Sequence, residues 1–162
     1  MEPTTLQDLF IDVLKDTYDA EYQMTKALGK MAKAAKSIRL TAAFEEHLAE
    51  TENHIKRLVM VFESLNLKPR RKACKGMHGL IEEGAEMLKK DVPPDVMDAG
   101  LIAATQKIEH YEIAAYGTLV AYANLMGLDT AAKTLHETLI EEKNVDEKLT
   151  VLAENTVNVR AA

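Results

Sequence analysis

Apolar positions recur at helical spacing along nearly the whole chain. Leu6, Phe10, Leu14, Met24, Leu28 and Met31 form a first stripe, with the period of an amphipathic helix. The pattern predicts a helix over 5–36, opened by Pro3 and Thr4, with Thr4 and Gln7 at capping-box spacing. A break at Ser37-Ile38-Arg39 leads to a second stripe, Phe44, Leu48, Ile55, Leu58 and Phe62, and a helix over 40–65 that Asn66 and Pro69 end. Leu80, Ile81, Met87 and Leu88 predict a shorter helix over 76–90. Pro93-Pro94-Asp95 opens a helix over 95–126, which Gly127 stops, and Asp129 is placed to cap a last helix over 130–158. No strand alternation, repeat or low-complexity tract competes with this reading.

Short loops join the long helices in two pairs, and a longer connection carrying the small helix joins the pairs. That is an all-α fold: a four-helix bundle with one long crossover, one domain over 1–162. Composition agrees, with Gly 7, Pro 4 and no Trp. The net charge of −6 argues against a nucleic-acid backbone as partner. No apolar run is long enough for a membrane span, and Met1-Glu2-Pro3-Thr4-Thr5 has no basic start, so a cytoplasmic protein without signal peptide is expected. Cys74 is the single cysteine, which excludes an internal disulfide.

Polar residues on the apolar side change the picture. Six carboxylates fall near the helix midpoints: Glu21, Glu50, Glu109, Glu112, Glu142 and Asp146. At about 100° per residue, Glu21 shares a face with Phe10, Leu14 and Leu28. Glu109 and Glu112 lie among Ile108, Tyr116 and Leu119, and Glu142 and Asp146 among Leu139 and Leu149. Glu50 is at the margin of its stripe, on the side of His47 and His54. Antiparallel helices of similar length align their midpoints, so these groups converge on one layer. An unpaired ion there costs several kcal/mol or more. Lys15, Lys26, Lys33, Lys56, Arg57, Lys107 and Lys148 project away from the stripes, and Lys36 comes near only at its helix end. A buried network closed by cations is therefore disfavoured, and protonating four to six acids in one layer is worse. A pair of bound metal ions remains. Carboxylates with one or two imidazoles suit iron first and manganese second, while zinc prefers fewer ligands and more nitrogen or sulfur. Tyr18 and Tyr116, a turn from inward Glu residues, read as core residues with satisfied hydroxyls before any role in hydrogen-bonding ligands or passing electrons. Cys74 reads as a structural or incidental thiol, and Arg70-Arg71-Lys72 as a solvated loop.

The stretch Lys107-Ile108-Glu109-His110-Tyr111-Glu112-Ile113-Ala114-Ala115-Tyr116-Gly117-Thr118-Leu119 resembles the YciE/YciF-type ferritin-like proteins, nearest the YciF branch. So do Asp16–Glu21, His47–Thr51 and Thr138–Lys143. The resemblance implies a rubrerythrin-like bundle with a di-metal site, a homodimer, and a bacterial stress-associated role, with ferroxidase activity attached by similarity. It implies Glu21, Glu50, Glu109, Glu112 and Glu142 as ligands. The Glu-x-x-His pairs of ferritins are altered here, because Asn53 follows Glu50 at three residues and Val145 follows Glu142. His47 and His54 both stay open as the nitrogen ligand. Two function classes follow. One is a di-iron or di-manganese oxidoreductase acting on dioxygen, peroxide or Fe(II). The other is a structural or interaction homodimer in which metal is only stabilising or absent. A storage shell is weaker, since nothing specifies a cage.

Overall fold

The computed structural model describes residues 2–162, in which helices are the only regular secondary structure. Four long helices form the bundle: α1 (Leu6–Ala34), α2 (Ile38–Ser64), α4 (Pro94–Leu125) and α5 (Asp129–Leu152). The short α3 (Lys75–Leu88) lies on the crossover and packs on α1 and α4. Within the bundle α1 contacts α2 and α4, and α5 contacts α4 and α2, closing a four-sided arrangement. The ferritin-like architecture with one long crossover is therefore present. None of the described helices is long and apolar enough to cross a membrane.

The ends show which local interactions win. The capping box on α1 is Thr5 with Asp8, one residue later than expected from Thr4 and Gln7. Thr5 Oγ1 accepts from the Asp8 amide at 3.1 Å, and the Asp8 carboxylate accepts from the Thr5 amide at 3.0 Å. α1 stops at Ala34, two residues before the expected end, because the chain is pulled aside by a carboxylate. The buried Asp98 of α4 accepts from the Lys36 amide at 2.8 Å and the Ser37 amide at 2.7 Å. This satisfies two amides at the α1–α2 turn and lets α2 begin at Ile38 instead of Leu40. Asn66 (φ 57°) and Gly127 (φ 68°) take the left-handed conformation that terminates α2 and α4. Asp129 does not cap α5; Leu128 precedes it as the N-cap residue and Asp129 is the first helical position. The last helix is also interrupted: after Leu152 one π turn (Ala153–Val157) precedes α6 (Asn158–Ala161). That wider turn keeps both Ala153 and Val157 buried.

The core is split in two. One apolar cluster holds Met24, Leu28, Met31, Leu40, Phe44, Leu101, Ile108, Val145 and Leu149. The other holds Phe10, Leu14, Leu58, Phe62, Tyr116, Leu119, Leu135 and Leu139. Between them lie the side chains with which the functional question begins. The crossover is pinned beside this layer. Cys74 N-caps α3 by accepting from the Met77 amide at 3.4 Å, and its sulfur lies 2.9 Å from the Tyr111 hydroxyl. The thiol is thus a structural cap, the first of the two readings made from the sequence. A methyl group at Gly76 would come within 2.7 Å of the Tyr111 ring, so the crossover depends on close approach there.

Replacing Asp98 by Ala removes the acceptor of two amides at once. The variant is expected to lose about 1.5–3 kcal/mol in urea denaturation, the range for hydrogen bonding to a charged acceptor, since both amides are only part-buried and water can replace the carboxylate. A loss below about 0.5 kcal/mol would show that the turn does not depend on this carboxylate.

Candidate metal centre

Each long helix contributes to the layer between the clusters. Glu21 comes from α1, His47 and His54 from α2, Glu109 and Glu112 from α4, and Glu142 from α5. All six are buried, with 0–1% exposure. The spacing follows from the stripes: three residues separate Glu109 from Glu112, and seven separate His47 from His54, so each pair stays on one helix face.

Two ligand sets emerge. His47, Glu109, Glu112 and Glu142 each offer an atom, all within 4.8 Å of one another, and Glu21, His54 and Glu142 do the same. Glu142 belongs to both. His47 Nε2 lies 3.0 Å from Glu109 Oε1 and 3.8 Å from Glu142 Oε2. His54 Nδ1 lies 3.0 Å from Glu142 Oε1 and 3.5 Å from Glu21 Oε1. Both histidines therefore reach the cluster, one for each set, where the sequence had left a choice between them.

These atoms are close but poorly satisfied. Among the described residues twelve buried side-chain nitrogen and oxygen atoms lack a hydrogen-bond partner, and all except Thr51 Oγ1 belong to Glu21, His47, Glu50, His54, Glu109, Glu112 and Glu142. Native proteins leave few such atoms, and concentrating them at one point marks a missing partner. Cations from side chains do not supply it. No Lys or Arg pairs with Glu21, Glu109, Glu112 or Glu142 among the described residues. Protonation of both imidazoles would still leave the four buried carboxylates in excess by two charges. The donor set of carboxylate oxygens and two imidazoles fits divalent iron or manganese.

Two predicted residues stand apart. Glu50 is at the rim, its side chain 28% exposed, with Oε2 3.6 Å from His47 Nδ1. Asp146 is outside the cluster altogether. It accepts from Gln106 at 3.2 Å and pairs with His110 at 3.1 Å. One turn beyond Glu142, it has rotated toward the outer edge of α4, where Gln106 and His110 reach it first. Its stripe position in the sequence hid this, because α5 packs on both α4 and α2 and only the side between them meets the layer.

A supporting shell was not foreseen. His54 Nε2 lies 2.7 Å from Glu141 Oε2, and Arg57 grips Glu141 with two nitrogens at 2.6 and 2.8 Å. Arg57 was expected to project away, yet it stays partly buried and also reaches Thr138. The signal lay in the spacing, since Arg57 is three residues after His54 and shares its face. Tyr116 donates its hydroxyl to Glu21, so it is a core residue with a satisfied hydroxyl and also hydrogen-bonds a candidate ligand, the alternative the sequence offered. Tyr18 instead faces the Tyr22 hydroxyl at 3.4 Å.

Residues 5–162 match a protein family described as a domain of unknown function, DUF892. The chain belongs to the DUF892 family. It is 51% identical to Protein YciF of Escherichia coli K12, with 99% of this chain and 98% of that protein aligned. The crystal structure of the E. coli stress protein YciF superposes with a TM-score of 0.93 at 52% identity, covering 96% of this chain and 99% of that one. YcfI of Rhodopseudomonas palustris, whose description suggests a structural protein, gives a TM-score of 0.89 at 41% identity over 91% of this chain and 94% of its own. A Xanthomonas campestris protein at 24% identity shares the fold, with a TM-score of 0.78 over 96% of this chain and 95% of that one. The family resemblance read from the helix motifs is thus established.

Electrostatics make the layer sensitive to pH. Burial alone would lower the His54 imidazole, but the facing Glu142 and Glu21 carboxylates outweigh it and push it up from 6.5 to about 10. Burial raises Glu142 from 4.5 to about 7, with Glu109 adding to it, despite both histidines. Burial and the charges of Glu21, Glu142 and Glu109 drive Glu112 well above its usual range. Without metal, the folded chain therefore holds more protons than the unfolded chain. The associated stability is complete below the unfolded values and falls as pH rises, through 4.5 to about 7 for Glu142 and 6.5 to about 10 for His54. The Tm of chelator-treated protein should fall between about pH 6 and about pH 9, and the gain in Tm on adding Mn(II) should grow over the same range, since ligands must be deprotonated. A metal-free Tm that is flat or rising across this interval would contradict the assignment.

Proposed function

We propose that this DUF892 protein is a di-metal carboxylate protein, binding iron or manganese and acting as an oxidoreductase toward dioxygen, peroxide or Fe(II). The observation that carries the reading is the concentration of unpartnered ligand atoms: six buried groups with nitrogen or oxygen atoms that lack a hydrogen-bond partner face one another across four helices, with Glu50 at their rim. His47, Glu109, Glu112 and Glu142 would hold one ion, and Glu21, His54 and Glu142 the other. Bound iron or manganese would supply a change of oxidation state and Lewis acidity toward an oxygen ligand.

The chain's own residues have definable parts in this chemistry. Glu142 belongs to both ligand sets and couples them. Tyr116 holds Glu21 through its hydroxyl, fixing the carboxylate and keeping a proton beside it. Glu141 and Arg57 lock the His54 ring so that Nδ1 faces inward, the arrangement by which outer partners orient a metal-binding imidazole. The two apolar clusters exclude bulk water above and below, which strengthens every charge interaction inside.

A second reading has an observation of its own. The description of the R. palustris relative suggests a structural protein, and a homodimer in which metal only stabilises the fold would fit it. In either reading a dimer would elute at about twice the chain's 18.0 kDa on sizing chromatography.

Protein purified without chelator and loaded anaerobically with Fe(II) is expected to carry about two ions per chain, as paired carboxylate bundles do. Less than about half an ion per chain by elemental analysis would defeat the proposal. The loaded protein should consume dioxygen or hydrogen peroxide, and Glu112→Gln should lower that rate at least tenfold. Full metal content with no consumption by the wild type would instead favour the structural reading.

A further inference from the structure

The two histidines face outward differently, and the difference marks a way in. Each ring turns one nitrogen to the cluster and the other toward a part-exposed carboxylate. On the His54 side that carboxylate, Glu141, is clamped by the two nitrogens of Arg57 at 2.6 and 2.8 Å. On the His47 side it is Glu50, which pairs with nothing but His47 Nδ1 at 3.6 Å among the described residues. His47 is 1% exposed, and neither of its ring nitrogens has a hydrogen-bond partner, nor has Glu50 Oε2.

Space opens outward from this point. A cleft of about 550 Å³ lies between α2 and α5, lined by Arg39, Glu50, Glu147, Lys148, Val151 and Asn155 among others. A small second cavity of about 10 Å³ is lined by Glu46, His47, Glu50, Lys148 and the apolar Phe44 and Leu149. The two share Glu50 and Lys148, so Glu50 borders both the open cleft and the cavity beside the imidazole. A space of that size is near the minimum for one water, so an ion with its hydration shell does not fit there. Lys148 lines both spaces beside Glu50, and its ammonium is paired with Glu46 at 3.2 Å.

We propose that the α2–α5 cleft is the route by which divalent cations reach the buried centre, with Glu50 as the carboxylate that receives each ion and passes it to His47. The proposal rests on the di-metal reading above and adds a direction of filling to it. Glu50 is then a transfer residue at the mouth and not a resident ligand, which explains why it lies outside both ligand sets while being adjacent to one. The His47 set fills first because it is nearest the mouth. The His54 set, closed from outside by the Arg57–Glu141 pair, fills through it. The cation exchanges water for carboxylate oxygen and then for imidazole nitrogen, with no redox change.

The test is stopped-flow uptake of Co(II), followed by its visible absorbance under anaerobic conditions, for the wild type, Glu50→Gln and Lys148→Gln. Glu50→Gln is expected to slow uptake at least fivefold while reaching the same final number of ions per chain. Lys148→Gln, which removes the competing cation beside Glu50, is expected to speed uptake about twofold or more. Unchanged uptake in Glu50→Gln would overturn the route. A lower final stoichiometry in Glu50→Gln would also overturn it, by making Glu50 a resident ligand. Absence of Co(II) uptake by the wild type would overturn the di-metal reading itself, which keeps the two failures apart. Circular dichroism of each variant verifies folding, and should Glu50→Gln fail to fold, slower uptake in Lys148→Gln would overturn the proposal by itself.

Discussion

Four buried carboxylates in the waist of an apolar bundle cannot all be charged without a cation among them. Everything else about the interior is arranged around that constraint. Leucine, methionine and phenylalanine fill the space on both sides, so water cannot neutralise the layer, and the nearest basic side chains are turned outward or engaged elsewhere. The two imidazoles offset part of the charge, and protonation of the carboxylates offsets more, but both responses are expensive substitutes for a bound ion. The fold therefore stores a demand for positive charge at one place, and metal binding is how such a demand is commonly met.

The symmetry of the layer is approximate, and its breaking is informative. Glu142 is common to both ligand sets, yet the sets differ in size and in what stands behind their histidines. One ring is locked by a carboxylate that a guanidinium holds, while the other faces a free carboxylate beside a cleft. Two positions of unequal rigidity within a single cluster give the protein a firm side and an adaptable side. Firm positions set geometry and potential; adaptable ones allow ligands to exchange.

Most of the fold was legible because helix period, capping residues and loop lengths agree with one another. Four long helices, a short fifth and one long crossover could be read from stripes and punctuation alone. What escaped depended on partners distant in sequence. The early end of α1 reflects Asp98, more than sixty residues away, capturing the amides of the turn. The π turn at Ala153–Val157 has no residue signature by itself and keeps two side chains buried. The site was legible in the same way: Glu21, Glu109, Glu112 and Glu142 follow from helical phase and height. Phase alone could not separate Asp146 from Glu142, because forty degrees of rotation matter only once the neighbouring helices are in place. Nor could it reveal that both histidines take part, or that Glu141 and Arg57 stand behind one of them.

The division of the core into two apolar clusters has a consequence for how the molecule moves. Each half is a well-packed short bundle, and the halves are joined through a stratum whose groups repel when it lacks a counter-charge. Deprived of ions, the protein should breathe at its middle and not at its ends, reversing the usual pattern in which helix termini fray first. Backbone amides near His47, Glu112 and Glu142 would then exchange with solvent faster than those packed around Phe44 or Leu119, and a bound pair of ions would act as a rivet through all four helices.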